Sequence, residues 1–200
     1  MSKYDYYYWS NIVSKGDIKD INDIVKIRKQ SQDKTSGASD AKKTSTVFLI
    51  KNKYLKDKLK APMAALKNAN RHNYDYNIYD LQDEDLLSFN IYEKNQEYEL
   101  HRDGSPSNFV DIKLTGLINV SDEEYEGGEF SLLNSKEPTK IPVFNKPGTM
   151  IVFSSFILHK VNPILKGTRK TLTIFLKGPH LRWKKIIVID TQKLNEKRLM

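Results

Sequence analysis

The chain has 200 residues, which corresponds to a single domain over residues 1–200 that is large enough for a proper hydrophobic core. With 38% hydrophobic and 29% charged residues it has a soluble globular composition, and its longest apolar runs are too short for a membrane span. The lack of cysteine excludes disulfides and thiolate chemistry, and without a signal-peptide pattern at the N-terminus we expect a cytoplasmic location.

The positive charge is unevenly distributed. The formal net charge is +8, and between Lys26 and Arg71 there are thirteen Lys or Arg against three Asp or Glu. Such a surface could attract nucleic acid or an acidic partner. A solvated lysine-rich face explains the same pattern, and we favour that interpretation.

The N-terminal part, about residues 15–70, is expected to be helical. Apolar residues at helical spacing predict a first helix from Asp17, as N-cap, to about Lys29. The polar stretch 31–46 predicts a loop, either a tolerated insertion or a flap over a substrate groove. Thr46 to Ile50 is typical of a short strand. A second amphipathic helix runs from Leu55 to Leu66, and Pro62 either kinks it or starts its second half.

From about residue 72 to 182 the pattern indicates β structure. Many short extended segments separated by Gly, Pro, Asn and Asp are typical of a sandwich or jelly roll. We therefore predict a mainly β fold with the two helices packed on one outer face, followed by an apolar run at Ile186–Ile189. The predicted strands lie near 86–93, 97–102, 110–120, 128–133, 140–144, 149–154, 157–161 and 169–177.

Two histidines and an aspartate form a candidate metal site. His101 and Asp103 are two residues apart in an extended segment, so their side chains share one face. His159 would complete the site from a distant strand. Two imidazoles and one carboxylate are the facial triad of non-heme iron(II) oxygenases, which leaves one side of the metal open. His-x-Asp alone is weak, and a lone histidine on an apolar strand is more often a hydrogen-bonded core residue.

Arg169 strengthens this interpretation, since it follows His159 by ten residues and in a tight hairpin could face the same cavity. An arginine binds a carboxylate through two parallel hydrogen bonds and stays charged when buried, so it suits a co-substrate acid. Thr171 and Thr173 share the Arg169 face of the strand, which predicts a wet pocket. Without Arg169, these polar residues would indicate a strand with one ordinary solvent-exposed face.

Further motifs extend from about Ala69 to Arg182 with consistent order and spacing. They are Tyr92, Tyr98-x-x-His101-x-Asp103, Tyr125-Glu126-Gly127-Gly128-Glu129-Phe130, Pro147-Gly148-Thr149, His159-x-Val161-x-Pro163, Gly167-x-Arg169-x-Thr171 and Gly178-Pro179. In these motifs the chain resembles the 2-oxoglutarate/iron(II)-dependent dioxygenases of the prolyl-4-hydroxylase-like branch, which includes bacteriophage-encoded members. The fold this implies is a double-stranded β-helix (jelly roll).

The resemblance implies a role for each site residue. His101, Asp103 and His159 would bind iron, Arg169 would pair with the distal carboxylate of 2-oxoglutarate, and Tyr92 would add a hydroxyl to it. Catalysis would depend on the three metal ligands and Arg169. A further co-substrate contact would come from Thr171.

The resemblance also implies an activity. Such enzymes use iron(II), 2-oxoglutarate and dioxygen, with ascorbate as an accessory cofactor to test, and they release succinate and CO2. The substrate would be a C–H bond of a peptide or protein, with a prolyl residue as the first candidate. We expect no membrane association. Loops 31–46 and 104–109 are where the choice of substrate would reside.

Three other interpretations remain open. A nucleic-acid dealkylase of the same superfamily would fit the basic stretch and Asn90-x-Tyr92, but the second arginine such enzymes carry six residues after the first is Phe175 here. A non-enzymatic jelly-roll binding module would have no reason to keep the complete set of ligands and Arg169. A zinc hydrolase could use the same three ligands but would not need Arg169.

Overall fold

The computed structural model describes residues 3–31, 43–103, 111–134 and 138–180. The helices are α1 (Lys15–Arg28) and α2 (Lys60–Ala69), with short 3-10 turns at Asn52–Tyr54 and Pro142–Asn145 and a π turn at Asn70–Tyr74. The strands in chain order are β1 (Tyr6–Trp9), β2 (Gln30–Ser31), β3 (Thr46–Lys51), β4 (Leu86–Tyr92), β5 (Tyr98–His101), β6 (Asp111–Asn119), β7 (Glu126–Gly127), β8 (Phe130–Leu133), β9 (Thr139–Lys140), β10 (Met150–Ser154), β11 (Leu158–Val161), β12 (Ile164–Lys166) and β13 (Arg169–Gly178).

The strands form a major and a minor antiparallel sheet. The major sheet has the order β1-β10-β6-β13-β4-β3-β2, and the minor sheet has the order β5-β11-β8-β9. A third pair joins β12 to β7. The chain crosses repeatedly between the two larger sheets, as in a jelly roll. The predicted mainly β, double-stranded β-helix fold is therefore confirmed.

Alternation along the major strands creates two apolar layers. On β13, Leu172, Ile174 and Leu176 belong to the layer that contains residues of both helices. The second layer includes Phe130 and Phe153 and contains residues from both larger sheets. Because strand side chains alternate between faces, the major sheet is covered by the helices on one face and by the minor sheet on the other. The prediction that the helices pack on one face is confirmed.

The first helix begins earlier than predicted. Its N-cap is Ser14, whose hydroxyl oxygen accepts a hydrogen bond from the Asp17 backbone N–H at 3.1 Å. Asp17 lies inside the first turn, where a carboxylate is favoured by the helix dipole. The proposed Asp17 N-cap is wrong because serine, three residues earlier, satisfies the free N–H. In α2, Pro62 lies in the first turn, so it does not kink the helix.

Most predicted strands are present, and the exceptions have local causes. In the segment predicted as a strand over 140–144, the strand ends at Lys140 and a 3-10 turn begins at Pro142. The strand does not continue because proline has no N–H to donate to a neighbouring strand. The prediction omitted β1, β2, β7 and β12.

Several predicted features lie wholly or largely outside the described residues. They are the loops 31–46 and 104–109 and the apolar run Ile186–Ile189. Among the described helices, none combines the length and apolar character that crossing a bilayer requires. The division into one domain over residues 1–200 stays a prediction.

Candidate active site

His101, Asp103 and His159 lie together between the ends of two neighbouring strands. His101 is the last residue of β5 and pairs directly with His159 on β11, while Asp103 follows in a bend just beyond β5. Asp103 Oδ1 is 3.6 Å from His101 Nε2, and Asp103 Oδ2 is 3.4 Å from His159 Nε2. The candidate ligand atoms all lie within 4.8 Å of one another, which is compact enough to hold one metal ion.

The main chain fixes which nitrogen of each imidazole faces the cluster. His101 Nδ1 is 2.7 Å from the Glu99 carbonyl oxygen, and His159 Nδ1 is 3.0 Å from the Ile157 carbonyl oxygen. Since a carbonyl only accepts, each Nδ1 carries the proton and donates. The lone pair is then on each Nε2, directed at Asp103. This tautomer is the one that binds a metal.

Both residue types in the cluster are held in their metal-binding protonation states. Burial lowers the pKa of His101, so the ring stays neutral near pH 7. For Asp103, burial raises the pKa, but the two imidazoles beside the carboxyl group outweigh this effect and lower the pKa well below its usual range, so the group is ionised. Two imidazoles and one carboxylate are the donor set for a divalent cation.

Asp103 is oriented by hydroxyl groups of the major sheet that the motifs did not reveal. Thr115 Oγ1 on β6 donates to Asp103 Oδ2 at 2.7 Å, and Ser155 Oγ lies 2.9 Å from the same threonine oxygen. Because the Thr115 proton is used on Asp103, Ser155 donates to Thr115. The Asp103 backbone N–H also donates to the Ser155 carbonyl at 3.1 Å. These contacts fix the carboxylate across the gap between the sheets.

Arg169 is a buried cation with no hydrogen-bond acceptor among the described residues. Its side chain is fully enclosed, and all three guanidinium nitrogens lack a partner. The guanidinium carbon is 5.3 Å from the Tyr92 ring centre and 5.2 Å from the Phe144 ring centre. A buried, unpaired charge is unfavourable unless an anion satisfies it. The arrangement therefore fits a bound carboxylate.

An aromatic wall connects Arg169 to the histidines. Phe144, against Arg169, lies 5.7 Å from Phe130 between ring centres, and Phe130 lies 5.6 Å from His159. Phe153 lies 4.8 Å from the same histidine ring. These rings belong to the layer between the two sheets. Arg169 and the cluster thus border one interior, which these aromatic rings line.

The predicted tight hairpin between the strands of His159 and Arg169 is wrong, although both side chains face the interior of the protein. Strand β12 lies between them, and β11 and β13 belong to different sheets, so they do not form a tight hairpin. Thr171 is on the Arg169 face but 1% exposed, which excludes an ordinary solvent face there. Its hydroxyl accepts a 3.4 Å hydrogen bond from Asn90 Nδ2. Tyr92 is directly opposite Arg169 in the ladder.

Lys43 reaches the same interior and carried no recognisable pattern in the sequence. Its ammonium donates to Asn90 Oδ1 at 2.9 Å and lies 4.7 Å from the Tyr98 ring centre. That ring stacks on His101. Burial lowers the pKa of Lys43 to about 8, and the negative charge of Asp103 acts in the opposite direction. A single lysine in a polar stretch cannot be distinguished from a surface lysine without the fold.

Gly128 makes space for Arg169. Its φ of +65° is in the left-handed region, and an added Cβ would lie 2.4 Å from Ile164 Cδ1 and 3.0 Å from Arg169 Cδ. Only glycine accepts both the backbone conformation and this close approach. The Gly127-Gly128 pair of the sequence motif therefore shapes the arginine site as well as the turn into β8.

Comparison with known proteins is consistent with this geometry. Residues 87–177 match the family described as the 2OG-Fe(II) oxygenase superfamily. A PKHD-type hydroxylase of Janthinobacterium sp. (strain Marseille) is 33% identical over 90 residues, covering 40% of this chain and 38% of the relative. The chain therefore spans well under half the length of that curated relative.

Solved structures share the fold across most of the chain. A Pseudomonas putida prolyl-4-hydroxylase superposes with a TM-score of 0.68 at 15% identity, covering 89% of this chain and 95% of that one. A Trichoplax adhaerens prolyl hydroxylase, in complex with a hypoxia inducible factor oxygen degradation domain peptide fragment, gives a TM-score of 0.63 at 14% identity, covering 87% and 84%.

The part of the chain that matches the 2OG-Fe(II) oxygenase superfamily, residues 87–177, is also the part that brings together the histidine–aspartate–histidine cluster. The sequence relatives are PKHD-type hydroxylases, and the fold is the one seen in prolyl-4-hydroxylases. This class of protein uses iron(II), 2-oxoglutarate and dioxygen. The involvement of ascorbate and a bacteriophage origin stay predictions.

Proposed function

We propose that this protein is a 2-oxoglutarate- and dioxygen-dependent iron(II) dioxygenase that hydroxylates a C–H bond of a peptide or protein, releasing succinate and CO2. The observation that carries this proposal is the fully buried Arg169 guanidinium, which has no acceptor among the described residues yet borders the same interior as the metal cluster. A metal site alone would not require this cation. A metal site that also binds a dicarboxylic acid does.

His101, Asp103 and His159 would hold iron(II) in this proposal. Two imidazoles and one carboxylate are the ligand types that non-heme iron(II) oxygenases use, so these three residues would supply a suitable donor set. Iron(II) bound there supplies, with 2-oxoglutarate and dioxygen, the oxidation that yields succinate, CO2 and a hydroxylated substrate. Thr115 and the main-chain carbonyls at Glu99 and Ile157 keep the three side chains oriented.

Arg169 would bind the distal carboxylate of 2-oxoglutarate through paired hydrogen bonds. Tyr92, opposite it in the ladder, would contribute its hydroxyl, and Thr171 a further contact. The wall of Phe130, Phe144 and Phe153 would keep bulk water from this interaction and so strengthen it.

A peptide substrate with a prolyl target is supported by the prolyl-4-hydroxylase-like fold. The Trichoplax neighbour was solved with a peptide bound. A cytoplasmic location stays a prediction.

The proposal is tested by incubating the protein aerobically with iron(II) and 2-oxoglutarate, with and without proline-containing peptides, and measuring succinate. We expect slow succinate formation alone and faster formation with an accepted peptide, which gains 16 Da. Calorimetry of 2-oxoglutarate with the anaerobic manganese(II)-loaded protein provides an independent measurement. Absence of succinate from every mixture, together with absence of 2-oxoglutarate binding, contradicts the proposal.

The same measurements separate the alternatives. A zinc hydrolase would purify with zinc and would not bind 2-oxoglutarate. A binding module that has lost activity would bind neither metal nor 2-oxoglutarate. Metal analysis after anaerobic iron loading distinguishes all three cases.

The structure does not favour a nucleic-acid substrate. Several lysines of the basic segment are already paired with carboxylates: Lys51 and Lys53 with Glu84, Lys56 with Asp83, Lys58 with Asp17 and Asp20, and Lys67 with Asp80. A surface whose cations are paired attracts phosphates less strongly. We therefore propose no nucleic-acid substrate.

A further inference from the structure

The segment 43–45 joins the two sheets at the edge of the candidate site. Lys43 forms a β-bridge with Tyr98, the first residue of β5. The Thr44 N–H donates to the Glu97 carbonyl at 3.1 Å, and the Glu97 N–H donates to Thr44 Oγ1 at 2.8 Å. Two residues later the same segment enters β3 of the major sheet. Backbone pairing on both sides therefore fixes the position of Lys43.

The Lys43 side chain extends inward from this segment. Although the residue as a whole is exposed, its ammonium donates to Asn90 Oδ1, and Asn90 is 4% exposed. Asn90 Nδ2 in turn donates to Thr173 Oγ1 at 3.1 Å. Thr173 is on the Arg169 face of β13. These hydrogen bonds therefore link the ammonium to the polar face of β13, which also carries the arginine.

The iron, the co-substrate and the residues proposed to bind them do not neutralise the positive charge of Lys43. Iron(II) with Asp103 carries one net positive charge, and 2-oxoglutarate with Arg169 carries one net negative charge, so together they are neutral. Lys43 adds a positive charge. None of the carboxylates in the described residues lies within ion-pair distance of its ammonium, so Lys43 is available to pair with an anionic group of the substrate.

We propose that Lys43 binds a carboxylate of the substrate, so that the preferred substrate carries an acidic group near the carbon that is hydroxylated. This inference rests on the proposed function and narrows its substrate class. The acidic group could be an Asp or Glu side chain beside the target residue, or the free carboxylate of a chain end or an amino acid. The recognition chemistry is the same: an ammonium, oriented by Asn90, and a carboxylate in a partly dehydrated site.

The test measures binding rather than turnover. The probes are blocked proline pentapeptides with Asp or Glu beside proline, the matching Asn or Gln peptides, an unblocked peptide ending in proline, and free L-proline. Their Kd values are measured by calorimetry on the full chain loaded with manganese(II) and 2-oxoglutarate. For at least one pair we expect the acidic form to bind about tenfold or more tightly than its neutral partner.

Two variants assign this preference to Lys43. In Lys43→Met the charge is lost at similar length, and we expect acidic and neutral probes to bind equally, with 2-oxoglutarate affinity unchanged. In Lys43→Arg we expect the preference to be kept. Melting temperatures like that of the unsubstituted protein show that each variant is folded.

Each contrary result has a distinct meaning. Equal binding of acidic and neutral probes, no binding of any probe, or a preference that survives Lys43→Met overturns the inference about Lys43. A large loss of 2-oxoglutarate affinity in Lys43→Met also overturns it, because the cation then serves the co-substrate. Failure of the unsubstituted protein to bind 2-oxoglutarate at all overturns instead the proposed function.

Discussion

At the scale of single residues, the candidate site depends on hydrogen bonds made outside the cluster. Each histidine donates its Nδ1 proton to a main-chain carbonyl, and Asp103 accepts from the hydroxyl of Thr115. These contacts select the tautomer and the orientation before any metal arrives, so the binding energy of the metal is not used to arrange its ligands.

Removing the charge of Arg169 should selectively abolish co-substrate binding. We expect Arg169→Leu to weaken 2-oxoglutarate binding by about 100-fold or more, since a buried charged pair is worth roughly 3 kcal/mol. Calorimetry on the manganese(II)-loaded protein measures this. Arg169→Lys keeps a positive charge and should recover part of the affinity. Equal 2-oxoglutarate affinity in Arg169→Leu and the unsubstituted protein would contradict the role proposed for Arg169.

Removing the Thr115 hydroxyl should weaken metal binding without removing a ligand. We expect Thr115→Val to lower manganese(II) affinity by about 10- to 100-fold, because the Asp103 carboxylate loses the donor that orients it. Metal titration followed by electron paramagnetic resonance measures the effect. Thr149→Val is a matched control, since the buried Thr149 hydroxyl has no hydrogen-bond partner in the part of the chain that the structure describes. Equal metal affinity in both variants would show that Thr115 does not position Asp103.

Acid should destabilise the metal-free protein through His101. Burial lowers the pKa of His101 in the folded state, so between that value and about 6.5 the unfolded chain binds more protons. The stability this group contributes is therefore lost as the pH falls below about 6.5. We expect the melting temperature to fall less steeply with acid in His101→Gln. Identical slopes in His101→Gln and the unsubstituted protein would contradict this prediction.

At the scale of single elements, the sequence patterns correctly predicted the features that depend only on residues close together in the chain. Alternation on β13 correctly separated Leu172 and Ile174 from Thr171 and Arg169, because strand geometry alone sets that division. The N-cap was wrong because Ser14 and Asp17 are both good caps and the chain before the helix decides between them. The Thr115 and Lys43 contacts could not be predicted, since they join segments distant in sequence whose register only the folded sheets define.

The turn at Gly128 gives a prediction for the element that shapes the arginine site. We expect Gly128→Ala to lower the free energy of unfolding by about 1–3 kcal/mol, because its positive φ is strained for alanine and the new Cβ would contact Ile164 and Arg169. We also expect weaker 2-oxoglutarate binding. Chemical denaturation and calorimetry measure the two effects.

Gly16→Ala provides the control for Gly128→Ala. Gly16 lies in α1, and its added Cβ would approach nothing closer than 3.8 Å. We expect it to be neutral or to stabilise by about 0.5–1 kcal/mol. A Gly128→Ala protein as stable as the unsubstituted one would contradict the strained geometry at this turn.

At the scale of the whole molecule, the basic segment is balanced by acidic residues that come from other parts of the chain. Glu84 lies between Lys51 and Lys53, and hydrogen bonds from these two lysines lower its pKa to about 2. Part of the positive charge of the basic segment is therefore neutralised locally by ion pairs.

This distribution predicts weak binding to nucleic acid. At about 0.15 M salt we expect no saturable binding of single-stranded DNA by fluorescence anisotropy, because several lysines of the basic segment are already paired with carboxylates. Changing Glu84 to Gln should strengthen binding at low salt by releasing two lysines. Tight binding by the unsubstituted protein that weakens steeply with salt would restore the dealkylase interpretation.

The two sheets hold different parts of the chemistry. The candidate chelating histidines belong to the minor sheet, and the guanidinium belongs to the major sheet, with the phenyl rings between them as spacer. Replacing Phe144 with leucine would keep the histidines and the guanidinium. It would, however, change the distance between them that a five-carbon diacid must span. The spacing between the two sheets therefore determines the length of diacid that fits between the histidines and the guanidinium. If the spacer ring is made smaller or larger, longer or shorter 2-oxo diacids should compete with 2-oxoglutarate for binding.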